Sequence, residues 1–222
     1  MNNGIVNQYS FGLNLNFQSN ASSYVTFGRA DPTLYSGTLN MVKIIGQLSY
    51  NIRLDAIQMG TGPNMAIYTA ILDSGNTCIT MPSRFEPIIV SQFNVGANTC
   101  AFQTEPYATA FKLLRCKVGN FSQLPDVHIY INKIKYTVTM EGYFQRCVKS
   151  GAYYWCDSFL ESVNFGQMAF LGDGFFNQFY AYFDLTTLQI GLAKNKNNLK
   201  YTNTFKPYSS LNSADIKFFN SL

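Results

Sequence analysis

The sequence predicts a mostly β protein with one or two short helices, and three observations carry that expectation. Apolar residues recur at every second position in short runs, and turn formers separate those runs. Aromatic residues are abundant, with 19 Phe and 15 Tyr in 222 residues, and such side chains suit a pleated, half-buried surface. Charged residues make up only 13% of the chain against 47% hydrophobic residues, which excludes disorder as the main state and is enough for a sizeable core.

The elements follow in order. Tyr9-Ser10-Phe11-Gly12-Leu13-Asn14-Leu15-Asn16-Phe17 alternates apolar with small or polar residues and predicts a strand. Residues 24–27, 52–59, 66–72, 127–131, 136–140 and 181–184 read likewise, with Gly28, Gly37, Gly60, Gly62 and Gly119 marking turns. Lys133-Ile134-Lys135 links two of these runs as a hairpin with weak turn chemistry. Ser83 and Glu86 have capping-box spacing ahead of Phe85, Ile88, Ile89 and Phe93, which predicts a helix. Pro87 falls inside that window, so the helix is expected to begin late or irregularly. A shorter helix is expected over 175–178. Residues 195–222 turn to Asn, Lys, Ser and Thr and read as a polar extension, docked by the aromatic residues of Ile216-Lys217-Phe218-Phe219. The expected division is therefore a lobe over 1–194 and an extension over 195–222.

Composition removes several function classes. No apolar run reaches the roughly 18 residues of a membrane-spanning helix. The opening Met1-Asn2-Asn3-Gly4 has neither the charged nor the apolar region of a secretory signal, so no signal peptide is expected in this chain. Net charge is +4 and the basic residues are scattered, apart from a loose group at Lys194, Lys196 and Lys200, which makes no nucleic-acid face. The five cysteines (Cys78, Cys100, Cys116, Cys147, Cys156) contain no C-x-x-C and the one histidine is His128, so neither a zinc site nor any other metal or cofactor is expected. Five cysteines fit two disulfides and one thiol in an oxidising compartment, and equally five reduced thiols. Asn20-Ala21-Ser22 and Asn120-Phe121-Ser122 match the glycosylation acceptor triplet, a pattern common by chance.

With one histidine, nucleophilic catalysis by a Ser-His or Cys-His pair rests on His128 alone. That residue lies within Asp126-Val127-His128-Ile129-Tyr130 and reads as a solvent-facing strand position. Carboxylates are then the acid–base candidates. One stands out, in Ala70-Ile71-Leu72-Asp73-Ser74-Gly75-Asn76-Thr77, where an apolar strand ends in a carboxylate followed by a small hydroxyl residue and glycine. Such a turn points backbone N–H groups and hydroxyls at the carboxylate.

The surroundings of Asp73 resemble the C-terminal lobe of the pepsin-like aspartic peptidases. Ile71-Leu72-Asp73-Ser74-Gly75-Asn76-Thr77 fits that family's two hydrophobic residues followed by Asp-[Ser/Thr]-Gly-x-[Ser/Thr]. About a hundred residues later Phe170-Leu171-Gly172-Asp173-Gly174-Phe175 looks like its Gly-Asp-x-Phe segment. Phe179-Tyr180-Ala181-Tyr182-Phe183-Asp184 and Ile190-Gly191-Leu192-Ala193 then match its closing strands. Upstream, Val25-Thr26-Phe27-Gly28-Arg29-Ala30-Asp31 and Tyr35-Ser36-Gly37 match in order, as do Cys116, Leu124-Pro125-Asp126 and Tyr136 in between.

The resemblance implies a β-rich lobe in which the Asp73 loop and the Leu171-Gly172 segment pack as a ψ-loop. It makes Asp73 one of two catalytic aspartates and Ser74 a brace between active-site loops. Gly75 becomes a backbone donor to the carboxylate, Thr77 a hydroxyl donor to its outer oxygen, and Phe170 a candidate subsite residue. Asp173 is structural in that family. The same resemblance favours a Cys116–Cys156 disulfide, with Cys147 as the rival partner. If Cys156 is used, Cys100 is left to pair with Cys147 and Cys78 remains as the thiol. Peptides or proteins are the implied substrate, and the implied setting is secretory, vacuolar, lysosomal or extracellular.

Only one Asp-[Ser/Thr]-Gly occurs in the chain, and no segment resembles the N-terminal lobe with its own aspartate. One carboxylate cannot share a proton with itself, so the chain alone is not expected to be an efficient peptidase. Three arrangements follow: half of a bilobal endopeptidase whose other lobe lies elsewhere, a non-catalytic structural or peptide-binding module, or a homodimer contributing Asp73 twice.

Overall fold

In the computed structural model, which describes residues 6, 8–16, 22–46, 49–105, 108–164 and 166–196, the alternating runs pair into three sheets. From the N-terminus, β1 (Ser10–Asn14), β2 (Tyr24–Phe27) and β3 (Tyr35–Lys43) precede two short strands, β4 (Asn51–Arg53) and β5 (Ala56–Met59). β6 (Thr69–Leu72) and β7 (Ile79–Pro82) flank the Asp73 loop, and a 3-10 turn leads into helix α1 (Glu86–Phe93). Two hairpins come next, β8 (Thr99–Glu105) with β9 (Ala108–Val118) and β10 (Val127–Ile131) with β11 (Ile134–Val138), then the one-turn helix α2 (Met140–Tyr143). The hairpin of β12 (Phe144–Ser150) and β13 (Tyr153–Val163) is followed by β14 (Ala169–Leu171), helix α3 (Asp173–Phe176) and the hairpin of β15 (Phe179–Asp184) and β16 (Gln189–Asn195). The mostly β class with few short helices is therefore correct.

The first sheet runs β2-β1-β15-β16-β3 and the second β11-β10-β5. The third holds eight strands in the order β4-β6-β14-β7-β13-β9-β8, with β12 also on β13. Its inner face is mostly apolar: Ala70, Leu72, Ile79, Met81, Leu160, Ala169 and Leu171 are all buried, with Ser162 as a buried polar residue on the same face. Aromatic packing ties α3 to the neighbouring sheets, with the ring of Phe179 4.8 Å from Phe175 and 5.2 Å from Tyr136.

Several local expectations shift for identifiable reasons. The run 52–59 is not one strand: the Leu54 amide donates to Tyr68 O while the next amide, Asp55, donates to Tyr130 O, so the chain passes between two sheets there. The 133–135 link is a two-residue turn, Asn132 and Lys133, both left-handed (φ 52° and 64°), so β11 begins at Ile134. The Asp55 carboxylate holds that turn by accepting from the Lys133 amide at 2.6 Å. The capping box at Ser83 does not form. No side chain caps the helix, and Glu86 instead accepts from Lys112 Nζ at 3.1 Å and Ser162 Oγ at 2.7 Å. Pro87 is tolerated because it lies in the first turn of α1, where an amide has no intrahelical partner. Asn195, placed by the sequence at the start of the extension, is the last residue of β16 and buried, donating to Leu15 O at 3.0 Å; residues 197–222 lie outside the described residues.

The cysteine pairing also differs. The disulfides are Cys100–Cys116 and Cys147–Cys156, not Cys116–Cys156, and Cys78 is a buried thiol outside both. All four bonded cysteines occupy one rung of the third sheet: Cys147 faces Cys156, Cys156 faces Cys116, and Cys116 faces Cys100. Cys116 and Cys156 are thus cross-strand neighbours, but each bonds the cysteine on its other side and closes its own hairpin.

Candidate functional site

Asp73 directly follows β6, and its loop returns the chain to β7. Strand β14 threads between those two arms. It runs parallel to β6 (Phe170 beside Ile71, Leu171 beside Leu72) and antiparallel to β7 (Phe170 beside Thr80, Leu171 beside Ile79). This is the ψ-loop expected from the Asp73 and Leu171-Gly172 segments. Backbone bonds lock the crossing: Asp73 N to Leu171 O at 3.1 Å, Gly172 N to Cys78 O at 3.1 Å, Asp173 N to Asn76 O at 2.8 Å and Gly174 N to Thr77 O at 3.1 Å.

The crossing requires glycine at 172. A Cβ there would stand 2.6 Å from Cys78 O and closer still to Asn76 O, both backbone atoms that the same bonds hold in place. The tight approach explains why an apolar strand ends in Gly-Asp at this point.

The carboxylate itself is half-buried, and the Gly75 amide donates to its Oδ1 at 2.9 Å. Ser74, Gly75 and Thr77 are exposed on the loop surface. Thr77 makes no hydrogen bond to Asp73 among the described residues. The inward polar side chain of the loop is Asn76, whose Nδ2 donates to Cys78 O at 3.0 Å and to Thr80 Oγ1 at 2.9 Å. Its Oδ1 accepts from the Cys78 amide at 3.3 Å, and Thr80 Oγ1 donates onward to Glu161 Oε2 at 2.7 Å. Neither Thr80 nor Glu161 was singled out from the sequence. The available signal was Thr80 itself, a polar residue inside the fully buried strand Ile79-Thr80-Met81-Pro82, since such a group needs a partner.

Ile71, Phe170, Thr80 and Glu161 lie on one rung, facing away from the core side of the sheet. Phe170 is part-exposed there, two strands across from Glu161. Asp173, just past the crossing, has its carboxyl raised above the usual range by burial and, secondarily, by the negative charge of Asp73. His128 is remote in topology, on β10 of the second sheet, with Nδ1 3.1 Å from Thr137 Oγ1. Its imidazole is lowered by burial first and by Lys135 second. The histidine is half-buried rather than fully solvent-facing.

A cleft of about 770 Å³ lies between β3 and β11, lined by Thr38, Asn40, Tyr136, Gln178 and Lys194 among others, and includes no residue of the Asp73 loop. Among the described residues, no three His, Cys, Asp or Glu side chains gather where they could hold a metal ion. Nor is any helix long and apolar enough to cross a membrane.

A sequence profile described as Eukaryotic aspartyl protease matches residues 1–195. The chain belongs to the eukaryotic aspartyl protease family. Among curated relatives, cathepsin E of Oryctolagus cuniculus is 32% identical over 191 residues, covering 83% of this chain and 45% of the relative. Pepsin A of Callithrix jacchus is 30% identical over 199 residues (86% and 47%), and cathepsin D of Chionodraco hamatus 28% identical over 197 (86% and 46%). The chain thus spans about half the length of the aspartyl proteases it matches, and its structure corresponds to one pepsin-like lobe.

Proposed function

We propose that this lobe supplies Asp73 as one of the two carboxylates of an aspartic endopeptidase, the second coming from a partner lobe on the same precursor or on another chain. The observation that carries the reading is the Asp73 loop itself, pinned by the β14 crossing, with a half-buried carboxylate held by the Gly75 amide beside the exposed residues Ser74 and Gly75. Such an anchored, part-exposed carboxylate suits one half of a two-sided cleft. The membership of the family and the half-length match to its relatives support the same reading.

Two carboxylates in contact cannot both ionise easily, so the pair shares one proton. The ionised member takes a proton from a bound water, which attacks the peptide carbonyl. The protonated member donates to the developing oxyanion and passes a proton to the leaving nitrogen. Gly75 N–H orients the Asp73 carboxylate, Ser74 stands where it can brace the facing loop, Thr77 serves the loop's outer surface, and Phe170 offers an apolar contact to a substrate side chain. The two disulfides suit folding along an oxidising secretory route.

The test is acid proteolysis of an unfolded protein by the native protein purified with whatever it binds, compared with Asp73→Ala. Loss of cleavage by about a thousandfold or more is expected. Cleavage unchanged in the variant overturns the reading. No cleavage in either, with a partner still bound, moves the function to a non-catalytic structural or peptide-binding lobe. Sedimentation of the active species separates a partner lobe from a homodimer.

A further inference from the structure

We propose that Glu161 is a positioning residue for Asp73, acting through Thr80 and Asn76; this rests on the reading of Asp73 as the functional carboxylate. Asp73 receives one backbone donor, Gly75, so the placement of its carboxylate depends on how firmly the loop over 73–78 is held. Backbone bonds hold that loop to Leu171, Gly172, Asp173 and Gly174. A chain of side-chain bonds adds a second tie, to β13, in the order Glu161, Thr80, Asn76.

The chain has one polarity. The amide nitrogen of Asn76 only donates, so Thr80 Oγ1 accepts from it and turns its single proton to Glu161 Oε2. The second proton of the same amide is directed at Cys78 O. Cys78 O is also the acceptor for Gly172 N at the β14 crossing. The relay therefore meets the crossing at one carbonyl, Cys78 O, and ends on a carboxylate of β13 as its last acceptor. Thr80 is buried, where each of these bonds counts for more than in water. Asn76 is the side chain that makes the connection.

The experiment is amide NMR on the full chain, comparing Thr80→Val, which removes the hydroxyl but keeps the shape, with Thr80→Ser, which keeps it. In Thr80→Val the amides of Gly172, Asp173 and Gly174 are expected to exchange about fivefold faster, the size of one net hydrogen bond. Amides of β10 and β11 serve as the unchanged reference. The Gly75 amide proton, shifted downfield by its bond to the Asp73 carboxylate, is expected to move upfield in Thr80→Val and to recover in Thr80→Ser. A purely stabilising hydroxyl would leave that resonance in place. Should Thr80→Val not fold, Glu161→Gln carries the test, with the same changes at smaller size. Wild-type exchange and an unmoved Gly75 resonance in both variants, or no recovery in Thr80→Ser, overturns the proposal. None of these readings involves turnover, so they fail or hold separately from the proteolysis assay.

Discussion

Gly172→Ala is the sharpest perturbation the structure offers. The added Cβ meets Cys78 O at 2.6 Å where ordinary contact begins at 3.4 Å, and it meets Asn76 O more closely still. The backbone must open by at least about 0.8 Å, and both obstructing atoms accept bonds from the segment that carries the new methyl: Gly172 N to Cys78 O and Asp173 N to Asn76 O. Losing those two bonds costs about 1–3 kcal/mol, and the strain of overpacking adds about 1–3 kcal/mol, which places the total at about 4 kcal/mol. For a chain of this size that corresponds to a fall in Tm of roughly 8–16 °C. Urea unfolding, read as a change in midpoint at constant slope, measures it directly. Gly151→Ala is the control. Gly151 is left-handed (φ 60°) with nothing within 4 Å of the added atom, so only conformational strain applies there, about 1 kcal/mol. Equal losses in the two variants would refute the crowding argument, because crowding distinguishes them and backbone strain alone would favour Gly172.

Two further outcomes are expected. Asp173 has its carboxyl raised above the unfolded value of 3.8 by burial and by Asp73, so the stability it contributes is full below pH 3.8 and lost as pH rises through its folded value. Asp173→Asn should therefore flatten the fall in urea midpoint between pH 3 and pH 7, and parallel curves for the two proteins would contradict the assignment. Peptide mapping without reduction should recover Cys100–Cys116 and Cys147–Cys156, with the Cys78 thiol reacting only after denaturation. In the double variant Cys100→Ser, Cys147→Ser the remaining pair faces each other across β9 and β13 and should form Cys116–Cys156; two unreacted thiols there would show that the rung is not aligned.

The strands legible in the sequence were those whose two faces see different surroundings. Val127–Ile131 alternates buried and half-buried positions and was read with its true ends. Strand β13 was not: most of its eleven residues are buried on both faces, with Asp157 and Ser158 among them, so it carries no alternation. Asp157 is tolerated there because Arg115 Nε and Arg146 Nη2 reach its carboxylate at 2.9 Å and 2.8 Å, one partner on its own hairpin arm β12 and the other on the sequence-distant β9. The disulfide pairing failed for a related reason. Each of the two central cysteines has a neighbour on both sides of the rung, and the choice between neighbours is made by hairpins that local spacing does not reveal.

The Asp73 loop was legible as a motif, yet what holds it was not, and the difference is physical. A carboxylate, hydroxyl and glycine in succession describe a turn that depends on four neighbouring residues. The bonds that fix it come from β14, about a hundred residues later, and from Glu161 on β13. A carboxylate proposed to work against a second one cannot take its placement from its own turn, because an exposed loop bonded only to itself moves. Anchoring the loop twice, by the backbone of Leu171-Gly172-Asp173 and by the Glu161–Thr80–Asn76 chain, resolves that conflict. In the proposed two-lobe reading the loop then needs no further ordering on contact, and its exposed residues remain available for it.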